Sequence, residues 1–165
     1  IVRLVGSEMC IRDSSKSFNM TGWRVGWITH PEYLGEHIAK LVQISTTGVP
    51  EFIQKGFIEA LKNHEFLVEE VMKNLHVSRD FVYNKMKNWT KLKINKPESA
   101  FYFFFKANDA KDSISFCKNL IKKTQVGLAP GVAFGKTGDN FLRLCFAADV
   151  KFLENILNRL EEEFN

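Results

Sequence analysis

The sequence predicts a mixed α/β fold, with long helices through its middle and a short antiparallel sheet covered by helices towards its end. Three observations carry this. Apolar residues recur at helical spacing between Pro31 and Met86, aromatic-rich segments with strand preference follow between turn signals, and the chain closes on an amphipathic stripe from Val150 to Phe164. With 45% hydrophobic and 25% charged residues over 165 positions, the composition is that of an ordinary globular domain, and fifteen phenylalanines can fill a sizeable core.

Taken in order, Ile1-Val2-Arg3-Leu4-Val5 reads as a strand. A helix is expected after His30-Pro31-Glu32, because proline is tolerated in a first turn and Tyr33, Leu34, Ile38, Leu41 and Val42 fall near one face. Ser45 to Pro50 interrupts it. A second helix starts near Pro50-Glu51, with Phe52, Ile53, Phe57, Ile58 and Leu61 on one side. Beyond Asn63-His64 a longer stripe runs through Phe66, Leu67, Val71, Leu75, Val82 and Met86. Lys91 to Ile94 alternates as a strand does, and Ala100 to Lys106 is a second strand, rich in aromatics. Ser113 to Lys122 reads as a helix, with Val126-Gly127-Leu128 and Asn140 to Phe146 as further strands.

Several functional classes lack support. The net charge of +4 comes from basic residues interleaved with acidic ones, such as Glu69 and Glu70 with Lys73, with no basic run or nucleic-acid motif. Cys10, Cys117 and Cys145 are far apart and none of the four histidines stands at metal-ligand spacing, so no metal site is expected and a reducing, cytoplasmic setting is the default. The longest apolar run, Ala100 to Phe105, is six residues against the roughly 20 that a membrane helix needs. No secretory signal is recognisable either.

One stretch stands apart: Ser14-Ser15-Lys16-Ser17-Phe18-Asn19-Met20-Thr21-Gly22-Trp23-Arg24-Val25-Gly26-Trp27. A lysine framed by hydroxyl residues is followed eight positions later by an arginine set between two glycines, which allow tight turning beneath large aromatics. A lysine amine attacks carbonyl compounds to give a Schiff base, and a guanidinium fork holds an anion better than an ammonium does. Ser14, Ser15 and Ser17 offer further donors to that anion. A carbonyl compound bearing a phosphate meets both needs, pyridoxal phosphate being the common one. On spacing alone, an ordinary loop lysine and turn arginine compete with this reading.

The stretch resembles the cofactor-lysine segment of the class I/II aminotransferases, pyridoxal phosphate enzymes of fold type I, which run from a serine-rich segment through the Schiff-base lysine to Met-x-Gly and Trp-Arg-x-Gly. Pro97-Glu98-Ser99-Ala100-Phe101-Tyr102 is similar to their Pro-x-Gly-Ala-Phe-Tyr, with Ser99 in place of glycine. Ala129-Pro130-Gly131-Val132-Ala133-Phe134-Gly135, then Gly138 and Phe141-Leu142-Arg143-Leu144, resembles their Pro-Gly-x-x-Phe-Gly, Gly and x-x-Arg-x segments.

The resemblance implies the C-terminal portion of such an enzyme. Residues 1–30 would be a remnant of the large cofactor domain, 31–90 connecting helices and 91–165 the small C-terminal domain. It further implies pyridoxal 5'-phosphate on Lys16 as a Schiff base, Arg24 on the phosphate, and Arg143, at the edge of a strand, on the substrate's α-carboxylate. Lys16 would also shuttle the proton as amino groups pass between an amino acid and a 2-oxo acid in a homodimer. The family often carries serine three residues before the lysine. Here Asp13 places an anion where the phosphate should sit, and residues 1–13 are read as foreign to the gene. The chain as given is expected to be inactive. A lyase, decarboxylase or synthase of the same fold, or a non-catalytic fragment, are the alternatives.

Overall fold

In the computed structural model, which describes residues 10–165, β1 (Cys10–Asp13) and β2 (Gly26–Thr29) form an antiparallel ribbon with Asp13 opposite Gly26. The expected strand at Ile1–Val5 lies outside the described residues. Between the two strands the chain makes α1 (Ser14–Ser17) and a 3₁₀ turn over Thr21–Trp23. Gly26 is needed for close approach: a Cβ there would sit 2.6 Å from the Arg12 carbonyl oxygen. Gly22, by contrast, has open space around it, and the left-handed conformations fall at Asn19 and Arg24. The tight turning expected of the two glycines is thus carried by their neighbours.

A 3₁₀ turn at Glu32–Leu34 with Pro31 at its N-cap leads into α2 (Gly35–Thr46), and Pro50 caps α3 (Glu51–Lys62). A small core forms from Met20, Val25 and Phe57, against which Phe18, Ile53 and Leu61 pack. Phe57 is its hub, with Trp27 at 5.4 Å and Phe18 at 6.1 Å between ring centroids. The stripe expected on α2 exists in sequence, but no residue of α2 is buried, and Leu41, Val42 and Ile44 are exposed. On α3 only part of the expected side turns inward: Phe52 and Ile58 are exposed.

The long stripe forms a single helix, α4 (His64–Met86). The chain divides into two compact units at Met72/Lys73, within this helix. The second unit holds a four-stranded antiparallel sheet of order β3-β4-β6-β5, made of β3 (Leu92–Lys93), β4 (Tyr102–Ala107), β5 (Ala129–Pro130) and β6 (Phe141–Cys145). Residues of β4 and β6 alternate. Phe103, Phe105, Leu142 and Leu144 enter the core, whereas Tyr102, Phe104, Phe141 and Arg143 turn to the other face.

Helices α5 (Ser113–Thr124) and α6 (Val150–Phe164) complete this unit. Asp112 caps α5 through the Ile114 and Ser115 N–H groups, and Asp149 caps α6 through that of Lys151. Leu153, Leu157, Leu160 and Phe164 of α6, all but wholly buried, meet Val82 and Met86 of α4 in the same core. The Val126–Leu128 segment is buried at Val126 and Leu128, but the sheet pairing falls one step later, at Ala129–Pro130. Proline has no N–H to give, which suits the edge position of β5.

Candidate active site

Lys16 lies on α1, a helix of one turn whose start is fixed by Asp13. The Asp13 carboxylate accepts the Ser15 backbone N–H at 3.0 Å and the Ser15 hydroxyl at 2.8 Å. These two bonds, with smaller contributions from the charges of Lys16 and Arg24, hold the Asp13 carboxyl below its ordinary range. Ser14 is buried, and both its N–H and its hydroxyl donate to the Val25 carbonyl, tying α1 to the far end of the segment.

The serine donors therefore depart from expectation. The hydroxyls of Ser14 and Ser15 are already engaged, one with Val25 and one with Asp13, and a hydroxyl has a single proton to donate. Ser17 is exposed. Lys16 is also exposed, and among the described residues its amine has neither an ion pair nor a hydrogen bond. Arg24, in the left-handed conformation after the 3₁₀ turn, donates from Nη1 to the Thr21 carbonyl at 3.2 Å. Lys16 and Arg24 thus both lie within electrostatic reach of one carboxylate. An exposed amine and a guanidinium on one short segment suit a carbonyl compound carrying an anion, with Asp13 as the opposing charge.

Arg143 belongs to the second unit. The resemblance placed it at a strand edge, but it stands mid-strand in β6, paired with Phe104 of β4 on one side and Ala129 of β5 on the other. The reason is the short β5, which covers the flank that would otherwise be free. The Tyr102 and Phe134 rings lie against the guanidinium, with Cζ 4.2 and 4.1 Å from their centroids. Phe104 extends the cluster, stacked on Phe141 at 5.1 Å and edge-on to Phe134 at 6.0 Å.

The sequence reading missed both rings as partners of Arg143. Tyr102 and Phe134 were visible in the two quoted motifs, and period-two alternation from Phe103 and Leu142 inward would have put Tyr102 and Arg143 on one face. Asp13 was legible as a cap, since an aspartate before a helix accepts from the residue two positions on. Among the described residues no group of three metal-ligating side chains is gathered, and no described helix is long and apolar enough to cross a membrane.

Comparison with known proteins bears directly on this arrangement. The family model described as aminotransferase class I and II matches residues 8–160. A probable aspartate aminotransferase of Methanocaldococcus jannaschii is 32% identical over 160 residues, covering 93% of this chain and 42% of that protein. An aspartate aminotransferase of Pyrococcus horikoshii is 34% identical over 151 residues, covering 90% and 39%. The crystal structure of an aromatic aminotransferase from Pyrococcus horikoshii superposes with a TM-score of 0.87 at 32% identity, covering 94% of this chain and 42% of that one. The chain thus spans about two fifths of the length of these relatives, 42% and 39% of the two curated ones. The match takes in Lys16, Arg24 and Arg143 together, and this chain, with the mixed α/β fold of that portion of a fold type I enzyme, belongs to the aminotransferase class I and II family.

Proposed function

We propose that the protein to which this sequence belongs transfers an amino group between an L-amino acid and a 2-oxo acid, using pyridoxal 5'-phosphate. The observation that carries this reading is the family match across residues 8–160, which takes in Lys16, whose amine is exposed, together with Arg24 and Arg143. The donor set suits the cofactor: Lys16 would hold its aldehyde carbon, and Arg24 its phosphate. When bound, the cofactor supplies an electron-poor ring that stabilises charge developing at the substrate's α-carbon.

The chain's own residues do the rest. Arg143 orients the substrate by its α-carboxylate. Lys16 would serve as the base that takes the proton from the substrate's α-carbon and as the acid that gives it back. The division into a large-domain remnant (1–30), connecting helices (31–90) and small domain (91–165) belongs to the same reading, as do a homodimeric assembly and a cytoplasmic setting. The exposed Tyr33, Leu41, Ile44 and Phe52 support an assembly in which further polypeptide covers them.

The test is reduction with borohydride in the presence of pyridoxal phosphate, followed by peptide mapping. Labelling is expected at Lys16 and should vanish in Lys16→Ala, while labelling spread evenly over surface lysines in both proteins would count against the assignment. In the full-length protein, exchange of amino and 2-oxo acids is the expected product pattern. Ammonia with pyruvate would instead identify a lyase.

A further inference from the structure

Resting on the reading of Arg143 as a carboxylate anchor, we propose that Tyr102 and Phe134 are its positioning residues, fixing the guanidinium while leaving its N–H donors free for a planar carboxylate. The chain shows three ways of holding an arginine. Arg79 donates from Nε to Asp80 at 2.8 Å, and Arg24 donates from Nη1 to Thr21. Arg143 does neither: among the described residues it has no ion pair and no side-chain hydrogen bond, and its close contacts are two ring faces. A ring face attracts the cation through its quadrupole yet accepts no conventional hydrogen bond, so the whole fork stays available for a bidentate partner.

The rings are themselves held. Tyr102 starts β4 in register with Cys145, next to the Phe104–Arg143 pair, and packs against Phe101 at 4.4 Å between centroids. Phe134 sits in the 131–138 loop, which is closed at its base by Gly131 and Gly138. A Cβ on either glycine would collide with the other's backbone. The buried Ser113 adds a second tie, its hydroxyl donating to Asp139 at 3.1 Å and accepting the Val132 N–H at 3.4 Å. Phe134 is therefore presented from a fixed base although half its surface is exposed.

The experiment follows the Arg143 Nε–Hε resonance in ¹H–¹⁵N spectra of the full chain, assigned with Arg143→Lys. In the unsubstituted protein this proton is expected to be shifted upfield by the rings, and its ¹⁵N nucleus to relax as the ordered backbone does. Tyr102→Leu combined with Phe134→Leu should abolish both properties, while Tyr102→Phe and Phe134→Tyr, which keep the rings, should retain them. An unchanged resonance in the double leucine variant overturns the positioning role, as does its loss in Tyr102→Phe, which would point to the hydroxyl. Circular dichroism confirms that each variant is folded.

Propionate and ethanesulfonate, both monoanions but planar and pyramidal respectively, probe the carboxylate half. Propionate is expected to move the resonance and ethanesulfonate to move it less, with propionate binding about fivefold weaker for each ring removed. No response to propionate in the unsubstituted protein, alongside an ordered resonance, means that the carboxylate reading has failed and the ring contacts have not. Equal propionate affinity in the double leucine variant overturns the proposal itself.

Discussion

Asp13 places a negative charge beside Lys16 and Arg24 and owes its low proton affinity chiefly to Ser15. If an anion binds there, that carboxylate opposes it. Asp13→Ser keeps a capping oxygen for the first turn and removes the charge, so affinity for pyridoxal phosphate should rise by about fivefold, the effect of one unit charge at contact distance in water. Equilibrium titration of the two proteins checks this. The strain at residue scale lies elsewhere. Ser99 stands where the resemblance has glycine, yet the left-handed conformation falls on Ala100, at φ 61°. Ala100→Gly should therefore stabilise the fold by about 0.5–1 kcal/mol, the relief of the left-handed conformation less the added freedom of the unfolded chain. Chemical denaturation of the two proteins would read the difference.

At the scale of elements, pattern was legible where an element's partners lie within its own unit. The stripe of α6 was readable from Val150 to Phe164 because Leu153, Leu157 and Leu160 face a core that the chain itself supplies. On α2 the same kind of stripe gave the helix but not its burial, since Leu41 and Val42 find no cover among the described residues. Strand β5 was misplaced by a step because Val126 and Leu128 are buried without joining the ladder, so burial and pairing part company there. Lys16, Arg24 and Arg143 were each nameable from motifs, whereas the ring contacts of Arg143 depend on a loop and a strand meeting, which no local spacing encodes.

Two predictions belong to this scale. Leu157→Ala should cost about 2–5 kcal/mol, since the side chain is fully buried in the second core. Asp80 on α4 is held down to about 2 by the hydrogen bond from Arg79 first and by that from Lys96 next. Its ionised form is the one favoured on folding, so the contribution is complete above the ordinary value of 3.8 and is lost as pH falls towards about 2. Lys96→Ala should move the Asp80 titration midpoint up towards 3.8, as followed by its carboxyl ¹³C shift.

Across the whole molecule the two units differ in how much core they own. Among the described residues, the second buries nineteen in one cluster, against three in the first. Amide hydrogen exchange should accordingly be slowest in β4, β6 and α6 and faster throughout α2 and α3, because opening free energy follows local burial. Comparable protection in α2 would show that the exposed stripe is covered in solution. On the homodimeric reading proposed above, replacing Ile44, Phe52 and Phe66 together by serine should reduce self-association in sedimentation velocity, as all three are exposed.

The rings beside Arg143 secure a charge without cancelling it. A salt bridge would have neutralised that cation at a distance, but a quadrupole does not, so the outer face of the sheet retains the field of a full positive charge. That field reaches about 10 Å at 0.1 M salt and shrinks as salt is added. Anion capture at this face should therefore slow with ionic strength in its association rate, while the release rate, set by the short-range fork, changes little.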